Sequence, residues 1–361
     1  MNKGTITFLQ EKYKGYYSRH GDSVEFPDKI ESREFGYIPF WGGMVRHLSF
    51  KSAGEAMAEI LRQSPSSIYA SNARYSSPTM PMEEKGWLGA ELIFDIDATD
   101  IPTQCKKTHD LWYCENCHAT GRLPKPAACP KCKGPTVEFH ATCPICLQAS
   151  KEHTLRVIDF LTGDFGVSPR DIHAYFSGNR GYHLHIYDER FEGLDQTGRA
   201  EIADYMLALS LPPSQTIASI LRRSPATRQG RDYGWMKKIT AYTRSRADYK
   251  GTLQKLVSEA VSSKRALIDA SVTTDIHRIF RLAGTLHGNT GMAKAKVKSF
   301  DNFNPETDPV VLGAERALVK ITFCPRFSIK GETFGPFKSE TISIPTYAAI
   351  SILTRGFGEV A

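Results

Sequence analysis

The sequence has no apolar run near the roughly 20 residues that a membrane-spanning helix needs. Its opening stretch, MNKGTITFLQEKYKGYY, also lacks the hydrophobic segment of an export signal. Both absences argue against a membrane or secreted protein and lead to the expectation of a cytoplasmic one. Cysteine is nearly missing outside one short stretch: seven of the eight lie between Cys105 and Cys146, mostly as C-x-x-C pairs. In a chain without an export signal that clustering excludes a disulfide-stapled scaffold and favours zinc. There is no internal repeat and no low-complexity linker, which excludes a solenoid or a long disordered tether.

What is present is ordinary for a soluble globular chain: 361 residues, 41% hydrophobic and 24% charged, enough for a sizeable core in one large domain or two. The net charge of +7 and a pI near 8.9 suit a polyanionic partner without establishing one. An extended segment, EFGYIPFWGGMVRHLSF, is followed by an amphipathic helix pattern, SAGEAMAEILRQS. SKEHTLRVIDFLTGDFG reads as a helix, DIHAYFSGNRGYHLHIYD as strands around a turn, and residues 197 to 263 as largely helical. The final SIPTYAAISILTRGF reads as a docked helix. Mixed α/β order with a helical insertion is the expected class.

The stretch GAELIFDIDATD sets two carboxylates one residue apart in a segment otherwise built for burial. In a strand, residues two apart share a face, so Asp95 and Asp97 point the same way. Like charges held about 7 Å apart in a poorly solvated place call for a cation between them. The alternative is a strand end whose aspartates cap the next turn.

Cys114-x-x-Cys117 and Cys129-x-x-Cys132, eleven residues apart, match the spacing of a four-thiolate zinc ribbon. Cys105, His109, Cys143 and Cys146 then form a second, outer set, and the nesting suggests two structural zinc sites with the inner ribbon protruding. One site with spare cysteines is the alternative, and His118 and His140 are available as substitute ligands. The Cys-rich segment itself shows Pro and Gly in place of periodic structure.

Ser177-Gly178-Asn179-Arg180-Gly181-Tyr182-His183 combines two glycines with a hydroxyl, a guanidinium and an imidazole, a set that suits a triphosphate and equally suits a hairpin turn. Farther on, RALIDASVTTDIHRIFRLAGTLHGNTG places Asp269 in a second strand-like run, with Arg278, Arg281 and His287 after it. Arg46 and Arg74 read as surface charges. The segment LRRSPATRQGRDYGWMKKITAYTRSRADYK interleaves basic and aromatic residues, fit for phosphates and stacked bases or for a solvated helix face.

Taken together, FDID, SGNRGYH and IDASVT…RLAGTLHG, in that order, resemble the catalytic small subunit of archaeal and eukaryotic DNA primase. The likeness runs from about Phe35 to the FDNFNP region near Asn304. It implies an archaeo-eukaryotic primase catalytic fold, a mixed α+β core from residues 1–104, 147–196 and 264–361. A zinc-binding insertion at 105–146 and a variable helical subdomain at 197–263 would interrupt that core. It further implies that Asp95, Asp97 and Asp269 hold two magnesium or manganese ions and carry catalysis, and that Ser177, Arg180, His183, Arg281 and His287 bind the nucleotide. Cys105, His109, Cys143 and Cys146 are similar to the family's zinc knuckle, whereas the Cys114–Cys132 ribbon is an insertion to which no family role carries over. The implied activity is DNA-templated primer synthesis from nucleoside triphosphates on single-stranded DNA, in an archaeal-type cytoplasm beside the replication machinery. The implied partner is a large subunit with an iron–sulfur domain. A stand-alone primase-polymerase or repair polymerase is the alternative of the same superfamily. A metal-dependent glycosyltransferase would not need the third aspartate, and a zinc-ribbon nucleic-acid-binding protein would leave the aspartate strand without a reason.

Overall fold

The computed structural model describes residues 1–223, 233–246 and 248–361. Two antiparallel four-stranded sheets form its centre. The first runs, in spatial order, Ile279–Arg281, Ser67–Ser71, Phe35–Ile38 and Val45–Leu48. The second runs Ala295–Lys296, Ile172–Phe176, Gly181–Ile186 and Leu92–Asp97.

Alternation along Leu92–Asp97 decides how the second sheet sits. Leu92, Phe94 and Ile96 are fully buried and share one apolar cluster with Val157, Phe160 and Leu161 of the helix Pro144–Gly163. Ile93, on the other face, packs with Val272 and Phe280. Asp95 and Asp97 lie on Ile93's face, as a period of two requires, and look into the cleft toward the first sheet. Burying the apolar face fixes the register, because a slip of one residue would turn both carboxylates into the core.

The helix Pro144–Gly163 starts cleanly: the Cys143 Sγ accepts from the Cys146 amide at 3.4 Å, and Pro144 occupies the first turn, where no donor is missed. Near the C-terminus, the strand Arg316–Cys324 lies between Phe337–Pro345 and Gly358–Val360. The helix Thr346–Leu353 is buried at every residue, as its apolar composition on all sides demands.

Helices Gln196–Leu207, Ser214–Arg223, Gly234–Arg244 and Leu253–Lys264 fill the region expected to be helical. They join the main core through Trp235, which lies 5.2 Å from Phe160 between ring centroids and donates to the Tyr205 carbonyl. Residues 224–232 and 247 of the basic segment lie outside the described residues. No described helix is long and apolar enough to cross a membrane.

Three expectations change. Asp269 is not in a strand: it caps the five-residue helix Ala270–Thr274, accepting from the Ser271 amide at 2.9 Å and hydroxyl at 2.7 Å. The alternating burial of Ala266 and Ile268 gives the strand-like pattern, and the Asp-x-Ser cap ends it. The Cys-rich segment holds regular structure, a three-stranded sheet of Thr120–Arg122, Leu111–Cys114 and Thr136–Phe139. Arg46 is more than a surface charge, since its Nε donates at 2.9 Å to the fully buried Glu34, which also pairs with the buried Lys85. Arg74 pairs with Glu192.

Candidate active site

Three chain segments meet at the open end of the cleft. Antiparallel pairing sets Asp95 opposite His183 and Asp97 opposite Gly181. That second pairing needs a residue without a side chain, because a Cβ on Gly181 would clash with the Ile96 carbonyl. The third aspartate is tied in through the backbone: the Asp269 amide donates to the Asp95 carbonyl at 2.9 Å. Burial, reinforced by repulsion from Asp97, Asp269 and Asp100, pushes the Asp95 carboxyl up to about 7, and Arg278 offsets only part of this. Asp97 accepts from the Thr99 amide at 2.7 Å, which orients its carboxylate. Such a crowd of hard oxygen donors fits a divalent ion of the magnesium or manganese type.

Facing the aspartates is a set of imidazoles and guanidiniums. His183 Nε2 stands 3.5 Å from Asp95 Oδ1, and its Nδ1 is buried with no hydrogen-bond partner among the described residues. Burial, with help from Lys294 and Arg281, holds His183 neutral, far below the usual histidine range. Arg281 is buried and donates to the Ser177 carbonyl at 2.7 Å. His287 is likewise kept neutral, by burial and then by Arg281, Arg355 and Arg180. Its Nδ1 accepts from the Asn289 amide at 3.1 Å, so its proton sits on Nε2, available as a donor. Arg180 reaches over the aspartate strand, with one terminal nitrogen 3.0 Å from Thr99 Oγ1 and 3.9 Å from Asp97.

The turn between the hairpin strands holds these groups in place. Ser177 Oγ accepts from the Asn179 and Gly181 amides at 3.3 and 3.2 Å. Gly178 adopts φ +76°, and a Cβ there would press on the Met292 carbonyl at 2.9 Å. The stretch is a hairpin turn, and it sets Arg180 and His183 beside Asp97 and Asp95.

Sequence reasoning missed a buried polar chain one layer deeper. Lys294, 1% exposed, donates to the Arg281 carbonyl at 2.9 Å and stands 3.1 Å from His185 Nε2. His185 leads on to Glu91, and Glu91 pairs with Arg33 at 2.5 Å. Burial, helped by Arg281, lowers the Lys294 ammonium to about 7. The available signal was alternation: His185 is two residues from His183, and Lys294 and Lys296 alternate with alanines.

The cysteines form two quartets, Cys105–His109–Cys143–Cys146 and Cys114–Cys117–Cys129–Cys132, each with its ligand atoms within 4.8 Å of one another. All are free thiols. Among the described residues these are the groups gathered so tightly; the aspartates are not. In the outer quartet the His109 Nδ1 is 2.7 Å from Asp110, whose other oxygen is 2.8 Å from His140. That leaves the His109 Nε2 for a metal, a carboxylate–histidine arrangement suited to zinc. Both sets fit structural zinc. His140 and His118 belong to neither. His118 stacks on Phe323 at 5.3 Å, and Tyr113 packs on Phe323 and Phe357, so the inner ribbon is docked against the C-terminal strands.

Comparisons with known proteins bear on this cleft. A family model described as DNA primase small subunit matches residues 133–299. The DNA primase small subunit PriS of Cenarchaeum symbiosum is 34% identical, with all of both chains covered. That of Archaeoglobus fulgidus is 33% identical, over 98% of each chain. Among solved structures, the polymerase domain of Mycobacterium tuberculosis ligase D in complex with DNA overlays with a TM-score of 0.35 and 13% identity. That overlay covers 81% of this chain and 80% of that one, too slight a likeness to carry an argument.

Proposed function

The chain belongs to the DNA primase small-subunit family, and from that premise we propose that this cleft joins nucleoside triphosphates on a single-stranded DNA template, releasing pyrophosphate. A primase catalytic subunit is a polymerase of the nucleotidyltransferase kind. The finer reading is DNA-templated synthesis of short primers from nucleoside triphosphates during replication, in the cytoplasm, with an iron–sulfur-bearing large subunit as partner. Asp95, Asp97 and Asp269 would hold magnesium or manganese, which when bound would lower the pKa of the attacking hydroxyl and neutralise the triphosphate and departing pyrophosphate.

The chain's own residues contribute position and charge. Ser177, Arg180, His183, Arg281 and His287 would hold the phosphates in line with the attacking group. Arg281 and His287 suit this because their surroundings are already desolvated, so their hydrogen bonds to an anion are worth more than in water. Neutral His183 and His287 offer donors without a proton having to be taken up first.

The observation that carries this reading is the crowding of like charge at Asp95, opposite an imidazole and guanidinium set that lacks a full complement of acids. The test is synthesis on unprimed and primed single-stranded DNA with labelled nucleotides and divalent metal. Asp95→Asn should abolish product while leaving the protein folded and its zinc content unchanged; robust activity in that variant would sink the assignment.

A further inference from the structure

A cavity of about 380 Å³ opens beside the aspartate cleft, on the side of the inner ribbon. Its wall includes Asn179, Arg180, Asn289, Arg355, Tyr113 and Phe139. Two guanidiniums, Arg180 and Arg355, line it together with one carboxylate, Glu138, whose Oε2 is 3.1 Å from His140 Nε2. Arg355, just beyond the buried helix Thr346–Leu353, donates from Nε to the Asn289 carbonyl at 3.1 Å and lies 5.3 Å over the Phe139 ring. Among the described residues, no carboxylate is within 4.0 Å of it. Burial is the main cause of its lowered pKa of about 10, and Arg180 contributes by repulsion.

Arg180 is only partly satisfied. Its terminal nitrogens reach the His140 carbonyl at 3.2 Å and Thr99, Asp97 is a loose 3.9 Å away, and its Nε is buried with no hydrogen-bond partner among the described residues. His287, two residues before Asn289, feels both guanidiniums. Two desolvated cations that repel each other are costly unless an anion lies between them. Arginine pairs grip a phosphate through paired N–H donors. A template strand carries one charge per nucleotide and needs a row of cations along a groove, whereas here two cations meet at one point. A terminal phosphate, carrying close to two charges, fits that convergence better.

We propose that this cavity seats the terminal phosphate of the nucleoside triphosphate, with Arg355 as a binding residue that favours triphosphates over shorter phosphates. The proposal rests on the nucleotide-transfer reading above and adds a residue from outside the 133–299 stretch matched by the family model.

The test uses the full chain in magnesium buffer. Calorimetric titration with inorganic tripolyphosphate should show binding weakened about tenfold in Arg355→Gln, and partly restored in Arg355→Lys. Primer extension should show the nucleotide KM raised by a similar factor with kcat changed less than about threefold. If Arg355→Gln does not fold, Asn289→Asp, which sets a carboxylate beside Arg355, should weaken tripolyphosphate in the same way. Unchanged tripolyphosphate binding overturns the proposal, as does a shift confined to the KM for template DNA. Asp95→Asn is run alongside: if it extends primers like the unmutated chain, the nucleotide-transfer reading fails, and the calorimetry still decides whether the cavity takes a polyphosphate.

Discussion

The zinc segment and the aspartate cleft solve the same problem, holding like-charged ligands together, by opposite means. In the inner quartet the ligands come from two C-x-x-C turns eighteen residues apart end to end, and the turns themselves converge the thiols to 3.4–3.7 Å. In the cleft, Asp95, Asp97 and Asp269 arrive from segments more than 170 residues apart, held by a sheet whose other face is buried. A local site stands or falls with its ion, whereas a site mounted on a core keeps its geometry when a ligand changes. The outer quartet belongs to both worlds. Cys143 and Cys146 open the helix behind the sheet, and Ser150 of that helix bonds both the Cys146 and Arg180 carbonyls.

The sharpest way to break this contrast is Asp97→Ala. Extension should fall by on the order of 10³-fold, while the melting temperature stays level or rises, because one source of repulsion on Asp95 is gone. A large drop in melting temperature would show that the cleft is as ligand-dependent as the zinc segment. Next in size, Cys146→Ser should lose one of two zinc equivalents by metal analysis, and extension should fall about 10–100-fold as the outer site loosens the helix beneath Arg180. Cys117→Ser should also lose one equivalent but cost far less activity, since the inner ribbon touches the cleft only at its edge.

Gly181→Ala sharpens the comparison from the other side, by injuring the sheet and sparing every ligand. The clash with the Ile96 carbonyl should cost about 1–3 kcal/mol in urea unfolding. The smallest effect is expected at Lys294. Its folded pKa of about 7 lies below the ordinary 10.5, so the unfolded chain binds more protons between those values. Stability therefore rises with pH across that window, and below about pH 7 the full burial penalty applies. Lys294→Met should remove this slope and raise stability at neutral pH by roughly 1 kcal/mol, checked by urea melts at pH 7 and 9.

Much of the cleft was legible because its cues are local. FDID announces a strand with both aspartates on one face, and SGNRGYH announces a turn that brings polar groups back beside them. Asp269 was found as a residue and misjudged as an element, since alternating burial at Ala266 and Ile268 does not distinguish a strand from an approach to a short capped helix. Glu91, His185, Lys294 and Arg355 went unread for a different reason. Each looks like a surface charge in its own window, and only packing against distant segments removes water from it.

The sequence by itself determined the two cysteine quartets, the paired aspartates and the glycine turn beside them, because spacing along a chain of fixed geometry decides which neighbours share a face or close a ring. Tertiary structure alone decided that Asp269 is roped to the Asp95 carbonyl, that Arg355 shares a cavity with Arg180, and that His183 and His287 are held neutral. Those facts depend on desolvation and on meetings between distant segments, and neither has a signature in a local stretch of residues.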